Sequence, residues 1–262
     1  TCGFASEDVR YVPVSGLKGV NLVSRVSAKE IPELGWYASG LCLVDLLDSF
    51  VMPERAVEKP LRLAVTDFFK GGAFGSANGV SVSGRITQGN VQIGEAVVVV
   101  PGNERATVKS IDVDFEPEQW AVAGDSVVLQ LHGIDMQQIR VGSVVCLESK
   151  PIQAVTRIEA QIVVFDTPVP ITNGFLVLLH TQSLNVPACV TRIIETVNQS
   201  TGEVSRKRPR HIRKGATARV EISMESAVCI ETFSESKDLG RIMLRKSGET
   251  IAAGIVSGIF GN

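Results

Sequence analysis

The chain has 262 residues, of which 44% are hydrophobic and 21% charged, with a formal net charge of −2. This composition is typical of globular domains rather than disordered or fibrous proteins, and the length favours two or three domains over one. A charge so close to zero argues against a dedicated nucleic-acid-binding protein. The sequence also lacks any apolar run of about 18 residues, which a membrane-spanning helix would need.

The five cysteines and three histidines are scattered along the chain. Neither a Cys-x-x-Cys nor a His-x-x-x-His spacing occurs, and this argues against a metal centre or a redox-active pair. Scattered thiols in an odd number indicate a reducing compartment, so we expect a cytoplasmic protein whose cysteines are small core residues. Because the chain starts without Met and without signal-peptide features, we expect a fragment of a longer protein.

The first 56 residues combine strand and helix signals. Residues 9–14 predict a strand that ends at a Ser-Gly turn. Four apolar residues at i, i+3, i+4 and i+7 predict an amphipathic helix with Ser39 as its N-cap, ended by Pro53. The four are Leu43, Leu46, Leu47 and Phe50. These elements are too few for a stable domain, so we interpret residues 1–56 as the C-terminal remnant of an α/β domain.

Beyond the charged linker the helical pattern ends, and short aliphatic runs alternate with glycine-rich turns. Short strands at such even spacing predict an antiparallel β-barrel, because closing the sheet removes its free edges. The strands predicted for this domain, residues 57–149, are residues 61–68, 80–86, 96–100, 106–113, 126–131 and 141–146.

Lys150 and Pro151 mark a second break, and the remaining residues, 150–262, predict a second barrel. Its predicted strands are residues 156–165, 176–180, 189–197, 216–223 and 227–233, followed by a terminal hairpin of residues 239–245 and 250–256. The sequence therefore predicts a mainly β chain of two consecutive antiparallel barrels preceded by an α/β remnant.

The terminal hairpin has a distinctive pattern. Ile242 and Leu244 alternate with arginines, which predicts a half-buried strand. The second strand contains Ala252, Ala253 and Gly254, which are poor strand formers. Small residues within a strand indicate that another backbone or side chain approaches closely.

The nucleotide-hydrolysis motifs are missing from this chain. A phosphate-binding loop needs Gly-x-x-x-x-Gly-Lys-Ser/Thr, whose backbone N–H groups and lysine hold the phosphates. The sequence contains no Gly-Lys dipeptide, no Asp-x-x-Gly and no Asn-Lys-x-Asp. We therefore expect this chain to be inactive alone in GTP hydrolysis, and it offers no catalytic residue.

Two segments stand out as candidate contact surfaces. Residues 206–214 carry six positive charges, on Arg206, Lys207, Arg208, Arg210, Arg213 and Lys214. Such a run can bind phosphates or a partner, but a solvated loop has the same composition, so both interpretations stay open. The glycine-rich residues 71–79 lie between two predicted strands and indicate a barrel loop, with Phe74 at its tip either in contact with a partner or packed back on the barrel.

Six segments in the correct order resemble the elongation factor 1-alpha and release-factor family of translational GTPases. They are residues 40–48, 59–63, 84–89, 123–127, 156–162 and 239–256. The resemblance implies the end of a GTP-binding domain followed by barrel domains 2 and 3. Within the family, residues 200–204, the basic run after them and residues 250–254 look most like the HBS-type ribosome-rescue factors.

This resemblance implies that the intact parent binds GTP or GDP with Mg²⁺ and hydrolyses GTP, whereas no cofactor is expected for the fragment alone. The implied partners are a Pelota-type protein and the ribosome, through small-subunit rRNA. The implied role is delivery of Pelota to the A site of stalled ribosomes in no-go and non-stop mRNA decay.

The resemblance also implies roles for particular residues. Ser15, Gly16 and Leu17 match the loop whose backbone N–H groups contact guanine, although an ordinary turn remains an alternative. Arg85 and Phe74 are expected to face the ribosome, and the basic residues 206–214 to contact the partner or RNA.

Two other functions stay open. The chain could belong to an aminoacyl-tRNA carrier of the elongation factor 1-alpha type, although residues 71–79 depart from the tRNA-binding pattern of that factor. It could also belong to a non-hydrolysing adaptor that links ribosomes to the exosome–Ski machinery.

Overall fold

The computed structural model describes residues 9–25, 36–37, 40–52, 54–71, 79–165, 167, 169–198 and 203–260. The chain divides into two compact units, Thr1–Glu54 and Arg55–Asn262, and the second unit contains both barrels. The three domain limits predicted from the sequence stay a prediction. In the described part of the chain, no helix combines the length and apolar character that crossing a membrane requires.

The described residues of the first unit contain little regular structure. The predicted strand at residues 9–14 is wrong, because this segment has no regular secondary structure. A strand exists through hydrogen bonds to a neighbouring strand, and no described residue forms a ladder with this segment. The first pairing after it is an isolated bridge between Ser15 and Val20.

The predicted helix is present but shorter than the pattern indicated. It is α1 (Leu43–Asp48), and its N-cap is Cys42, whose sulfur accepts a hydrogen bond from the N–H of Asp45. The predicted cap Ser39 is wrong because Cys42 caps the helix, and the predicted stop at Pro53 is wrong because the helix ends at Asp48 with Ser49 as its C-cap. Ser39 and Pro53 themselves lie outside the described residues. The N–H groups of Leu43 and Val44 donate to the carbonyl oxygens of Asn21 and Leu22. Together with the Cys42 cap, these bonds satisfy N–H groups of the first turn, which have no acceptor within the helix.

The first barrel is built from antiparallel strands. Its strands are β1 (Arg62–Lys70), β2 (Val80–Gln88), β3 (Asn90–Gln92), β4 (Ala96–Val100), β5 (Glu104–Val113), β6 (Glu116–Glu118), β7 (Trp120–Val122), β8 (Ser126–His132) and β9 (Val144–Leu147). The sheet runs in the order β4-β9-β1-β2-β8-β5 and closes where β4 pairs with β5. β6 pairs with β5 but is not one of the six strands that form the closed ring. β3 pairs with β7 in a separate two-stranded sheet.

The second barrel closes in the same way. Its strands are β10 (Ala154–Val164), β11 (Ile171–Thr172), β12 (Phe175–Thr181), β13 (Leu184–Val197), β14 (Val204–Lys207), β15 (His211–Ile212), β16 (Thr217–Cys229), β17 (Arg241–Lys246) and β18 (Glu249–Phe260). The order is β12-β17-β18-β10-β16-β13, closed by pairing of β12 with β13.

Each barrel encloses its own core, because alternate residues of every strand point inward. In β8, for example, Val127, Leu129 and Leu131 are buried, whereas the residues between them are at least partly accessible. The predicted fold of two consecutive antiparallel barrels is confirmed.

One pair of predicted strands is wrong. Residues 216–223 and 227–233 were expected as separate strands, but β16 continues through Thr217–Cys229. Its partner β10 pairs Arg157 with Ser223 and Val155 with Val228, so the extra residues of β16 form a bulge. A bulge absorbs additional residues without ending the strand, which turn signals in the sequence do not distinguish from a true turn.

The terminal hairpin forms as predicted. Ser247 and Gly248 both have positive φ, at 51° and 86°, the geometry of a two-residue hairpin loop. The expectation that small residues mark close approach is confirmed at Gly254, where a Cβ would overlap the carbonyl oxygen of Gln161 on β10. Gly254 therefore lets β18 lie close against β10.

We expect Gly254→Ala to lower the free energy of unfolding by about 1–3 kcal/mol, because the added methyl group forces two paired strands apart. Gly258→Ala on the same strand is the matched control, since its Cβ would lie 3.5 Å from the nearest atom, an ordinary contact. Denaturant unfolding of the two variants measures the difference. Equal stability of the two would contradict the close-approach role of Gly254.

Candidate partner-binding interface

The two barrels meet at an apolar junction within the second unit. Seven buried residues from both barrels form one cluster there: Val98, Val100, Val144, Cys146, Ile152, Cys229 and Leu239. In β4, the inward residues belong to the core of the first barrel, and the outward Val98 and Val100 belong to this junction. Burial of both faces explains why β4 is a continuous run of valines.

A buried ion pair also joins the barrels. The Nε of Arg62 on β1 lies 2.7 Å from the Oε1 of Glu231, and the side chains are only 7% and 14% exposed. The Nη1 of Arg62 donates to the carbonyl oxygens of Leu61 and Lys150, both at 2.9 Å. The second carboxylate oxygen of Glu231 accepts from Gln88 at 3.0 Å. Several hydrogen bonds thus offset the cost of burying both charges.

Two cysteines lie in the same junction. The thiol of Cys229 donates to the carbonyl oxygen of Val100 at 3.1 Å, and burial raises its pKa to about 12. Burial also raises the pKa of Cys146. Both groups are therefore protonated thiols near neutral pH, and their role is packing rather than nucleophilic chemistry.

The basic run is exposed but well anchored on the second barrel. Arg206 and Lys207 belong to β14, which pairs with the end of β13, so this part is a strand rather than a loop. Pro209 and Ile212 are buried and hold the segment against the barrel. The six positively charged side chains, those of Arg206, Lys207, Arg208, Arg210, Arg213 and Lys214, are all exposed.

Within the basic run, charge is left uncompensated. Among the residues that the structure describes, Arg206, Lys207, Arg208 and Arg210 form no ion pair, whereas Arg219 of the same barrel lies 3.4 Å from Glu195. A groove of about 400 Å³ beside the run is lined in part by Arg206, Arg213 and His211. The Nε of Arg213 donates to the Nε2 of His211 at 3.2 Å. These four cations therefore lie beside a concave site without an ion-pair partner among the described residues.

The predicted ribosome-facing residues are only partly described. Arg85 is exposed on β2 of the first barrel, where it pairs with Ala64 on one side and Ser126 on the other. Phe74 lies outside the described residues. Arg85 and the basic run therefore belong to different barrels, and their predicted roles in contact stay predictions.

The predicted guanine-binding loop is a short closed turn. The backbone groups of Ser15 and Val20 exchange hydrogen bonds of 3.1 and 3.0 Å, and Leu17 at the tip is 98% exposed. The expected strand-to-helix turn is wrong, because neither a strand before it nor a helix directly after it forms. In this turn, the N–H groups of Gly16 and Leu17 have no acceptor among the described residues and could reach a base.

The implied nucleotide fits this chain only in part. The loop at Ser15, Gly16 and Leu17 could hold a guanine base, but the sequence contains no phosphate-binding motif. No group of three or more His, Cys, Asp or Glu side chains able to hold a metal ion occurs within the described ranges.

Two family models match the barrels. The model described as Elongation factor Tu domain 2 matches residues 79–146, and the model described as GTP-eEF1A C-terminal domain-like matches residues 157–257. Protein HBS1 of Drosophila melanogaster is 41% identical over 98% of this chain. Elongation factor 1-alpha of Cenarchaeum symbiosum is 34% identical, also over 98% of this chain. The chain belongs to the family of translational GTPases that includes elongation factor 1-alpha and HBS1.

A solved structure of sup35 complexed with GDP gives the same family relation, with a TM-score of 0.73 and 29% identity over 99% of this chain and 61% of that one. The higher identity to HBS1 confirms the HBS-type resemblance. The chain spans 37% of the length of HBS1 and 57% of that elongation factor 1-alpha. The activity and partners of the whole protein are therefore matters for proposal.

The junction between the barrels is not evident from the sequence. Arg62 and Glu231 are 169 residues apart in the chain, and nothing in their spacing connects them. One signal was present, since the valine run of β4 lacks the polar alternation of a strand with one face in solvent.

We expect Glu231→Ala to lower the free energy of unfolding by about 3–5 kcal/mol, because it leaves the charge of Arg62 buried without a partner. The control Glu148→Ala removes an exposed pair with Arg105 and should cost no more than about 1 kcal/mol. Denaturant unfolding measures both, and alkylation of Cys229 reports opening of the junction. A Glu231 variant as stable as the control would show that the pair does not hold the barrels together.

Proposed function

We propose that this chain is part of a cytoplasmic HBS-type rescue GTPase and supplies the two-barrel body that carries a Pelota-type protein to stalled ribosomes. The observation that carries this proposal is the 41% identity to HBS1 across 98% of the chain, against 34% for elongation factor 1-alpha over the same share. Four exposed cations of the basic run, Arg206, Lys207, Arg208 and Arg210, give it a surface for the partner or for rRNA.

In this mechanism the parent protein binds GTP with Mg²⁺ and brings the Pelota-type protein into the empty A site. The residues that hold and hydrolyse the nucleotide lie outside this chain, apart from the Ser15–Leu17 turn, which we assign to the guanine base. Hydrolysis then releases the factor, so that the ribosome can be split and the mRNA degraded by no-go and non-stop decay.

In this mechanism the barrels hold the contact surfaces at fixed positions and take no part in GTP hydrolysis. Because the Arg62–Glu231 pair and the apolar cluster around it fix one barrel against the other, contacts on both barrels keep a constant spacing. We assign Arg85 and residues 71–79 of the first barrel to the small ribosomal subunit. The basic run of the second barrel is assigned to the Pelota-type protein or to rRNA.

The identity to elongation factor 1-alpha favours a second candidate, an aminoacyl-tRNA carrier. A third candidate is an adaptor between ribosomes and the exosome–Ski machinery. Mixing the chain separately with purified Pelota-type protein and with aminoacyl-tRNA distinguishes them. Retention of tRNA alone would overturn the rescue function.

We expect charge reversal of Arg206, Lys207, Arg208 and Arg210 to glutamate to weaken binding to ribosomes or to the Pelota-type protein at least tenfold. If the contact is with RNA, the slope of log K against log salt should also fall by up to about 0.7–0.9 for each lost phosphate contact. Binding measured at several salt concentrations tests both effects.

A control variant with Lys109→Glu and Lys237→Glu changes exposed cations elsewhere on the barrels. Its binding should stay within about twofold of the unaltered chain, since exposed charges far from an interface contribute little through screened solvent. If the quadruple variant binds as the control does at every salt concentration, the basic run is a solvated surface without a partner.

A further inference from the structure

Strand β14 is a free edge of the second barrel. In the sheet order it lies outside the closed ring, and among the described strands it pairs with β13 alone. All residues of the strand, Val204–Lys207, are exposed. A strand with one unpaired side presents backbone N–H and C=O groups that can pair with another strand. A further strand can therefore be added at β14.

The hydrogen bonds beside β14 show which backbone groups face its free side. The N–H of Arg208 donates to the carbonyl oxygen of Ile194 on β13, at 2.8 Å. The carbonyl oxygen of Arg206 also faces β13, where it accepts from the Oγ1 of Thr196 at 3.5 Å. Because successive residues of an antiparallel strand direct their backbone groups to opposite sides, the N–H and C=O of Lys207 point away from β13. Lys207 thus offers one donor and one acceptor to an incoming strand.

Strand β6, which ends the sheet order of the first barrel, is protected in a different way. Its residues are Glu116, Pro117 and Glu118, and the proline has no N–H to donate. Proteins protect free edges both with proline and with charge. β14 contains no proline and is protected by charge alone. It therefore excludes strands of the wrong charge rather than all strands.

The charges on β14 determine which strand can pair with it. The side chains of Arg206 and Lys207 lie on opposite faces of the strand, because side chains alternate along it. Arg208 and Arg210 follow directly after the strand and are also exposed. Opposite charges directly across a pair of strands are stabilising, whereas like charges are destabilising. A strand that fits this edge therefore carries carboxylates on both of its faces.

A second copy of this chain does not fit the edge. Antiparallel pairing of two β14 strands would place the arginine and lysine side chains of one copy opposite those of the other, which is destabilising. Strand β6 has the complementary charge, but Pro117 at its centre cannot donate a hydrogen bond to a partner strand. The occupant is therefore a different protein segment.

The groove of about 400 Å³ beside the basic run borders this edge. Two of its lining residues, Ser205 and Arg206, belong to β14. Two others are His211 and Arg213, and the Nε of Arg213 donates to the Nε2 of His211 at 3.2 Å. This bond uses one of the five N–H donors of a guanidinium. A carboxylate of an added strand that enters the groove would meet arginine donors there.

These features favour a protein segment over RNA. An extended peptide supplies both a donor and an acceptor to the outward backbone groups of Lys207, whereas a phosphate can only accept. Proteins that bind single-stranded RNA stack its bases on aromatic rings, and residues 203–214 contain no Phe, Tyr or Trp. The edge therefore matches the backbone of a strand better than the backbone of a nucleic acid.

We infer that β14 is the docking edge for an acidic protein segment, which adds to the second barrel as an extended strand. Backbone hydrogen bonds hold such a segment, and carboxylates opposite Arg206 and Lys207 determine which sequence is accepted. The inference rests on the proposed function in taking the basic run as a contact surface. It deepens that function by naming the ligand of the run as a protein strand rather than rRNA.

The test is titration of the 262-residue chain with a peptide that is acetylated and amidated at its ends, Thr-Thr-Glu-Glu-Thr-Val-Thr-Thr. Antiparallel pairing places its glutamates opposite Lys207 and Arg206 and its valine opposite Val204. A second peptide has the same sequence with N-methyl groups on the backbone nitrogens of both glutamates, which keeps the charge but removes the donors. We expect the methylated peptide to bind at least tenfold more weakly, as measured by calorimetry.

A pair of variants tests the same point on the side of the chain. Lys207→Pro removes both the outward N–H and the charge, whereas the matched control Lys207→Gln removes the charge alone. Proline is tolerated at an edge position whose N–H faces solvent, and unfolding midpoints of both variants verify that the fold is intact. We expect Lys207→Pro to bind the unmodified peptide at least tenfold more weakly than Lys207→Gln does.

Three outcomes would overturn the inference. If the two peptides bind alike and the two variants bind alike, the contact is electrostatic only, and strand addition is wrong while the proposed function stands. If the chain binds oligouridine instead of the peptide, and charge reversal of the basic run abolishes this binding, the run is an RNA surface and the proposed function again stands. If the chain binds neither probe, nor ribosomes, nor the Pelota-type protein, both the inference and the proposed function fail.

Discussion

The buried pair of Arg62 and Glu231 is the interaction on which the arrangement of the two barrels depends. A charge inside a protein is tolerated only when its partner and its hydrogen-bond acceptors occupy fixed positions. Arg62 comes from the first barrel, Glu231 from the second, and Lys150, which accepts from Arg62, from the connection between them. The valines and cysteines around them supply apolar burial, but they would tolerate small shifts. The ion pair adds the requirement for one particular position.

This constraint gives the barrels a role that neither has alone. Each barrel is closed and has its own core, so their relative position is determined at the junction. Once it is fixed, Arg85 on one barrel and the basic run on the other are held at a constant separation. A binding partner that contacts both barrels benefits from this, because less conformational freedom is lost on binding.

The fold was largely predictable from the sequence, because barrel strands have a period of two and end at glycine-rich turns. Ile242 and Leu244 illustrate this, since their alternation with arginines matches their burial.

Features that depend on distant residues were not predictable. Residues 9–14 have strand composition but no neighbouring strand among the described residues, and the long bulge in β16 has the composition of a turn. The candidate site was partly predictable: the basic run was evident from its charge, but its anchoring by Pro209 and Ile212 was not.

The second barrel carries two exposed surfaces of different physical character. One is the basic run, and the other is formed by Leu176 and Leu178 on the outward face of β12, which are 68% and 43% exposed. Long-range attraction to cations such as Arg206 and Arg210 speeds encounter with a negatively charged assembly and weakens as salt screens it. Aliphatic contacts such as those of Leu176 and Leu178 act only at contact distance and determine how long a complex lasts. In this barrel the basic run begins on β14, which pairs with the end of β13 at residues 195–197. The exposed leucines of β12 lie along the same edge of β13 but nearer its start, where β12 pairs with residues 184–190. The two surfaces are therefore separated along the length of β13.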